Sequence, residues 1–416
     1  MNVSWPDSLD VTALTARGWV PKRFNQFVVK VHSRCNLACG YCYVYESADQ
    51  GWRAQPRVMS EAVFTTACHR IAEHTDETVS LVFHGGEPLL AGAEHLSKLA
   101  ETATTIIGSA RLRLGMQTNG LLFDERVAEV CERWNIRVAV SVDGDQAGHD
   151  RHRVFRDGRG SHADVLRGLR VLRRHQRLYA GLLCTVDLRN DPITTYEALV
   201  ELGPPAVDFL LPHGNWSTPP PGRAEGGSPA YGEWLSLVFD RWFDTPTEET
   251  GAPRPEPRTG RDGKAGRGTK VRLFDDLLAL TLGGTGTSES VGLQPIRVAV
   301  IETDGTVEQV DTLKTAFAGA TRVRTAGGSN PFDAALFAPQ IVARQLGRDA
   351  LSATCRACSI HEICGGGNYT HRFRAGEGFL NPSVYCPDLK FLIDHVRARV
   401  SGELAKIGAR RPPGGV

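Results

Sequence analysis

The chain has 416 residues, 41% of them hydrophobic and 23% charged, enough to bury a substantial core across two or three domains. Its 48 basic and 47 acidic residues leave a formal net charge of +1, so no charge excess argues for nucleic acid or an anionic membrane as partner. No stretch reaches the roughly 20 apolar residues of a bilayer span, and Met1 to Arg17 lack the basic-then-apolar layout of a signal peptide, so a cytoplasmic location is the expectation.

Residues 1–26 form an N-terminal segment too short for a core of its own. From Phe27 to about residue 212, strand-like runs alternate with amphipathic helical stretches. The predicted strands are Phe27–Val31, Val79–Phe83, Arg111–Gln117, Arg137–Val142, Gly181–Val186 and Val207–Leu211. Helices are predicted near Ser60–Glu73, Glu94–Ile107, Asp124–Trp134, His162–His175 and Thr194–Leu202. Such alternation implies right-handed crossovers and a parallel sheet, open or closed into a partial barrel, with chemistry at the C-terminal strand ends.

The regularity breaks over residues 213–295, read as bridging helices and loops. His213–Pro229 and Thr247–Gly268 are rich in Gly and Pro; the second is expected to be mobile. Between them Tyr231–Asp244 resumes a helix whose aromatics fall at core spacing, and Arg272–Leu282 is another. Residues 296–400 begin with a hairpin turning at Asp304-Gly305, continue as a Cys-rich module, and end in a helix near Leu389–Val400. Residues 401–416 read as a tail, disordered from Arg410.

Ten cysteines in such a chain read as thiols or metal ligands rather than a disulfide framework. Cys68, Cys131 and Cys184 lie in apolar patterns and read as packing residues. The other seven form two groups. Directly after the first strand, Cys35, Cys39 and Cys42 stand in a Cys-x3-Cys-x2-Cys loop with Tyr41 before the last. A cubane cluster takes one thiolate per iron, so three cysteines leave one iron open to a small molecule, as in catalytic rather than structural metal sites. A structural zinc loop with His32 as fourth ligand is the alternative.

This loop resembles the signature of the radical S-adenosylmethionine (SAM) superfamily, and three further strand ends match that family in order. Phe83-His84-Gly85-Gly86-Glu87-Pro88 resembles the segment whose backbone and Glu meet the methionine amino group, its glycines permitting close backbone approach. Gln117-Thr118-Asn119-Gly120 matches the loop facing the SAM pocket. Val140-Ser141-Val142-Asp143-Gly144 matches positions near the ribose hydroxyls or the methionine part. His149-Asp150-x-x-Arg153 follows, with Arg153 placed to pair with the SAM carboxylate. The resemblance implies a partial (β/α)6 TIM-like barrel, SAM as cofactor and a [4Fe–4S] cluster on the three cysteines.

Cys355, Cys358, Cys364 and Cys386 compose a closed site that spacing alone assigns to zinc or to a cubane. The group resembles the SPASM extension of radical SAM proteins, whose seven-cysteine pattern holds two auxiliary [4Fe–4S] clusters. This chain keeps the four outer ligands, but Asn368 and Val310 stand where two inner ones fall. Two clusters per chain are therefore expected, one SAM-binding and one auxiliary. Asp311, after Val310, occupies the position of a candidate catalytic base.

Glu302 to Asp311, Cys364 to Gly367 and Asn381 to Cys386 resemble the FxsB-like subfamily of peptide maturases, a resemblance spanning about Phe27 to Val400. It implies a ribosomally made precursor peptide as partner, a flavodoxin- or ferredoxin-type electron donor, and cyclophane formation between an aromatic carbon and a nearby β-carbon. The alternatives are sulfatase-maturase-like oxidation, thioether formation, or a non-catalytic iron–sulfur or zinc scaffold. The segment before the first strand is too short for a leader-binding domain, so the C-terminal module, the Gly/Pro loops or a strand edge are expected to hold the leader.

Overall fold

A computed structural model describes residues 5–223, 227–245, 268–325 and 327–410. The loop predicted at 247–268 lies, but for Gly268, outside the described residues, as does the predicted tail beyond Arg410.

Six parallel strands follow one another in space as they do in sequence: β1 (Gln26–His32), β2 (Val79–Gly85), β3 (Leu112–Thr118), β4 (Arg137–Ser141), β5 (Tyr179–Thr185) and β6 (Ala206–Leu210). Their crossovers carry helices Glu61–His74, Ala93–Ile107, Glu125–Trp134, His162–Leu172 and Pro192–Glu201, each predicted within a few residues. The starts follow local chemistry. Ser60, Asp124 and Asp191 accept from the N–H three residues on, and Pro192 takes the first helical position. Along Ala93–Ile107 the buried residues Leu96, Leu99, Ala100, Ala103 and Ile107 recur at helical spacing and face the sheet.

Three short strands complete a nine-stranded sheet of order β7-β6-β5-β4-β3-β2-β1-β8-β9. β7 (Lys270–Val271) extends β6 in parallel; β8 (Val298–Ile301) pairs in parallel with β1 and antiparallel with β9 (Val307–Glu308). The expected hairpin therefore exists, but its first strand belongs to the core sheet. The segment predicted as the start of a separate module covers the edge of β1, which would otherwise present unpaired backbone groups. The predicted C-terminal helix runs longer than expected, Cys386–Arg410. It crosses helix Ala230–Phe243 closely at Gly232, where an added Cβ would lie 2.4 Å from the Asp388 carbonyl oxygen. Among the described residues no helix is long and apolar enough to cross a membrane.

Candidate functional site

The loops leaving β1 to β6 enclose a cavity of about 150 Å³. Cys35, Cys39, Cys42, Tyr41, Gly85, Gly86, Thr118, Asn119, Ser141 and Arg153, residues singled out from the sequence, all line it. The cysteine loop is held from both sides. Gly86 and Glu87 donate their N–H groups to the carbonyls of His32 (2.9 Å) and Arg34 (3.0 Å), while Ala38 donates to Val154 (2.8 Å) and Gly40 to His152 (3.2 Å). A Cβ at Gly86 would lie 1.8 Å from Tyr45 Oη and 2.5 Å from the Arg34 backbone. The close approach these glycines permit is therefore to the cysteine loop itself. His32, the alternative fourth ligand, spends Nδ1 on the Arg34 N–H at 3.1 Å.

Two acids expected at the SAM contacts stand behind the wall. Glu87, fully buried, cross-links two strand ends by accepting from Thr118 Oγ1 (2.6 Å), the Asn119 N–H (2.7 Å) and the Leu89 N–H (3.0 Å). Burial raises its pKa despite these bonds. Asp143 accepts from Tyr41 Oη and from the Thr185 N–H (2.9 Å), and Tyr41 Oη in turn accepts from Arg153 Nη1 (2.8 Å). Arg153 is 8% exposed, and its Nε is buried with no partner among the described residues. An unpaired guanidinium N–H on a cavity wall suits a carboxylate ligand.

Burial pushes the Cys35 thiol up to about 12 and Cys42 up to about 11, and raises Cys39 as well. Thiols so desolvated need a cation to become thiolates at neutral pH, and bound iron supplies one. Among the described residues no three His, Cys, Asp or Glu side chains converge tightly enough for one metal ion. The loop thiols instead face a shared cavity, as suits a cluster that takes each thiolate on a different iron.

Asp311 does not line the cavity. It bonds Lys30 Nζ at 2.5 Å, and Lys30 also bonds Glu302 at 2.6 Å. Lys314 completes the buried cluster, 3.4 Å from Glu302, 3.6 Å from Glu308 and 3.7 Å from Asp311. Burial would raise the Asp311 pKa, but Lys30 and Lys314 outweigh it and hold the carboxyl below its ordinary range. Its field reaches Tyr43 and His84, which do line the cavity.

The wall also includes His84 and Gln117, motif residues with no role assigned from the sequence, and Tyr43, Thr185 and His213, which were not singled out. Thr185 ends β5 and His213 follows β6, so extending the strand-end rule to the last two strands identifies both. His213 Nδ1 meets His371 Nε2 at 3.2 Å, and Tyr385 Oη donates to the Pro212 carbonyl at 2.6 Å, so the Cys-rich module closes one side of the cavity.

In that module Cys355, Cys358, Cys364 and Cys386 are free and lie within electrostatic reach of one another. Burial pushes the Cys364 thiol up to about 12. Gly365, Gly366 and Gly367 all take positive φ, and a Cβ on Gly365 would lie 1.7 Å from the Gly292 carbonyl oxygen. Arg372 donates to all three glycine carbonyls, at 2.6 to 3.1 Å. Asn368 caps the turn at 369–372, and Val310 packs against a small aromatic cluster.

Residues 29–192 match the family model described as the Radical SAM superfamily. The chain is similar to the cysteine-type anaerobic sulfatase-maturating enzyme of Clostridium novyi, 24% identical over 70% of this chain and 74% of that protein. It is also similar to the serine-type enzyme of Klebsiella aerogenes, 25% identical over 89% and 86%. The solved structure of anSMEcpe with bound AdoMet superposes with a TM-score of 0.73 at 22% identity, covering 92% of this chain and 99% of that one. Streptococcus suis SuiB bound to its precursor peptide SuiA superposes with a TM-score of 0.56 at 12% identity, covering 93% and 83%. The fold is the radical SAM α/β fold, with a Cys-rich C-terminal region.

Proposed function

We propose that Cys35, Cys39 and Cys42 hold a [4Fe–4S] cluster, that SAM occupies the cavity beside them, and that the chain oxidises a side chain of a peptide substrate. The observation that carries the reading is three desolvated thiols sharing one cavity wall with a buried guanidinium whose Nε–H lacks a partner among the described residues. When bound, the cluster and SAM supply reductive SAM cleavage and hydrogen-atom abstraction from the substrate.

The chain's own residues bind and orient. Arg153 offers its free Nε–H to a carboxylate, with Tyr41 and Asp143 fixing its position. Glu87 ties the glycine segment to the Thr118-Asn119 loop, so the wall is set before any ligand arrives. Cys355, Cys358, Cys364 and Cys386 take an auxiliary [4Fe–4S] cluster, on the support of the SPASM-type relatives. Asp311 is ionised behind the wall, and we assign it to draw the substrate proton through an intervening group and pass it on, since Lys30 and Lys314 keep its carboxylate from holding it. Asp311→Asn is then expected to leave SAM cleavage intact, lower the product formed per SAM cleaved, and flatten the acid limb of the product pH profile.

Formylglycine-type oxidation is the finer reading best supported, because the relatives over most of the chain are sulfatase-maturating enzymes by name. Carbon–carbon joining into a cyclophane is the second. It is favoured by Asn368 and Val310, whose structural duties stand where the SPASM pattern has ligands. A flavodoxin- or ferredoxin-type protein would deliver the electron for SAM cleavage in either case, and the auxiliary cluster, when bound, would accept the one left on the substrate radical.

The test is anaerobic. Protein reconstituted with iron and sulfide is given SAM and dithionite, and 5′-deoxyadenosine is quantified beside Cys39→Ala. Nucleoside from the wild type alone supports the assignment; none from protein holding a reduced cluster, with or without peptide, overturns it. A hydrazide-reactive aldehyde on the peptide then selects formylglycine, and loss of two hydrogens without one selects the cross-link.

A further inference from the structure

A second cavity, of about 240 Å³, forms where the N-terminal segment crosses the C-terminal module. Trp5 pairs with Gly378 in an isolated bridge and closes one side. The walls are aromatic. Tyr369 stacks on Phe379 with ring centroids 4.6 Å apart, Phe373 lies 5.1 Å from Phe379, and Phe317, 41% exposed, stands 5.4 Å from Phe373 at the mouth.

The floor is polar. Gln309 is 2% exposed; its Nε2 donates to the Ala320 carbonyl at 3.1 Å, while its Oε1 is buried with no partner among the described residues. Gln340 repeats the pattern, with Nε2 on Asp7 Oδ1 at 3.1 Å and Oε1 unpaired. Both residues line the cavity, and exposed Arg322 and Arg324 stand at its rim, Arg324 3.4 Å from Asp7. Buried amide oxygens without partners are uncommon and destabilising. A dry apolar cavity of about 150 Å³ accepts a benzene, so this one accommodates a phenol or an indole. Trp5 Nε1 and Tyr369 Oη, also on its wall, are buried without partners among the described residues as well, so a ring that carries an O–H or N–H meets acceptors in Gln309 Oε1, Gln340 Oε1 and the Tyr369 hydroxyl.

We propose that this cavity docks a tyrosine or tryptophan side chain of the peptide substrate, its ring among Phe317, Tyr369 and Phe379, its donor on Gln309 Oε1, and acidic neighbours facing Arg322 and Arg324. The proposal rests on the peptide-substrate reading only for which chain carries the ring. Docking is separate from the cysteine-lined cavity, so it fixes the register of a peptide without touching the reacting atoms.

Full-length protein is titrated, without SAM, with acetyl-Asp-X-Asp-amide probes in which X is Trp, Tyr, Phe or Ala. Trp and Tyr probes are expected to bind roughly tenfold tighter than Phe, because only they satisfy the buried acceptor, and Ala is expected not to saturate. Gln309→Leu is expected to erase the Trp-over-Phe preference while leaving peptide-independent SAM cleavage unchanged. Should Gln309→Leu unfold, exposed Phe317→Ala carries the test with a weakening of about tenfold for the Trp probe. No saturable binding at millimolar probe, meaning a cavity holding ordered water only, overturns the proposal. So does a Trp preference that survives in a folded Gln309→Leu. Probe binding in a protein that never cleaves SAM would sink the catalytic reading and keep this one.

Discussion

The two cysteine groups differ in what surrounds them, and the difference separates a working site from a closed one. In the loop after β1, three thiols face a cavity, and the cation beside them, Arg153, keeps a buried N–H without a partner. In the C-terminal module, four thiols lie within electrostatic reach of one another, and their neighbouring cation, Arg372, donates through Nε and Nη2 to the carbonyls of Gly365, Gly366 and Gly367. One arrangement leaves both a coordination position and a charge for a ligand. The other, on the proposed reading, gives four thiolates to four irons and turns its cation to the backbone. Glycine serves each in the same way, letting backbone pass where a Cβ would collide: Gly86 against Arg34, Gly365 against Gly292.

Breaking one ligand in each group tests this contrast most severely. Cys39→Ala is expected to reduce 5′-deoxyadenosine to background and to remove about four irons per chain. Cys358→Ala should remove a similar amount of iron yet retain SAM cleavage, losing peptide product instead. Equal loss of cleavage in both variants would erase the distinction between open and closed sites. The two arginines provide the next test. Arg153→Gln removes a cation from the ligand wall, and its SAM Kd should rise by an amount corresponding to about 2–5 kcal/mol, read by equilibrium binding. Arg372→Gln should leave that Kd within about twofold and lower the unfolding midpoint, since buried carbonyls lose their donor at about 1–3 kcal/mol each.

What the sequence made legible was local. The thiol spacing, the three further strand-end motifs and the alternation of strand and helix are each carried by short windows, and of the residues expected to contact the first cluster or SAM all but Glu87 and Asp143 reach the cavity wall. Those two were recognisable as strand-end acids, but their places behind the wall depend on partners thirty to a hundred residues away. Asp311 is the clearest case. Its meaning is set by Lys30, 281 residues earlier on β1, and no periodicity links them. The same holds for β8, whose sequence reads as a hairpin arm and whose place beside β1 is decided by that strand's open edge. The aromatic cavity closed by Trp5 is invisible for the same reason, its walls coming from opposite ends of the chain.

Per pH unit, the smallest effect expected is on acid stability, and it again divides the two regions. His149 lies behind the SAM-side wall, accepting the Asp143 N–H on Nδ1 (3.3 Å) and meeting Ser161 Oγ through Nε2 (3.1 Å). His213 lies at the seam with the Cys-rich module, against His371. Burial holds both imidazoles neutral, with pKa values lowered to about 2 for His149 and about 4 for His213. In the unfolded chain each takes a proton near pH 6.5. Below that pH the unfolded state binds more protons than the folded one, so stability is present in full above about 6.5 and is lost as the pH falls. The loss is about 1.4 kcal/mol per unit for each histidine, ending near pH 4 for His213 and continuing toward pH 2 for His149. Urea midpoints at pH 7, 6 and 5 should therefore fall less steeply in His213→Gln than in the wild type. Below pH 4 only His149→Gln should still differ in slope. If both variants keep the wild-type slope between pH 6.5 and 5, carboxylates alone govern the acid limb, and neither seam nor wall depends on a neutral imidazole.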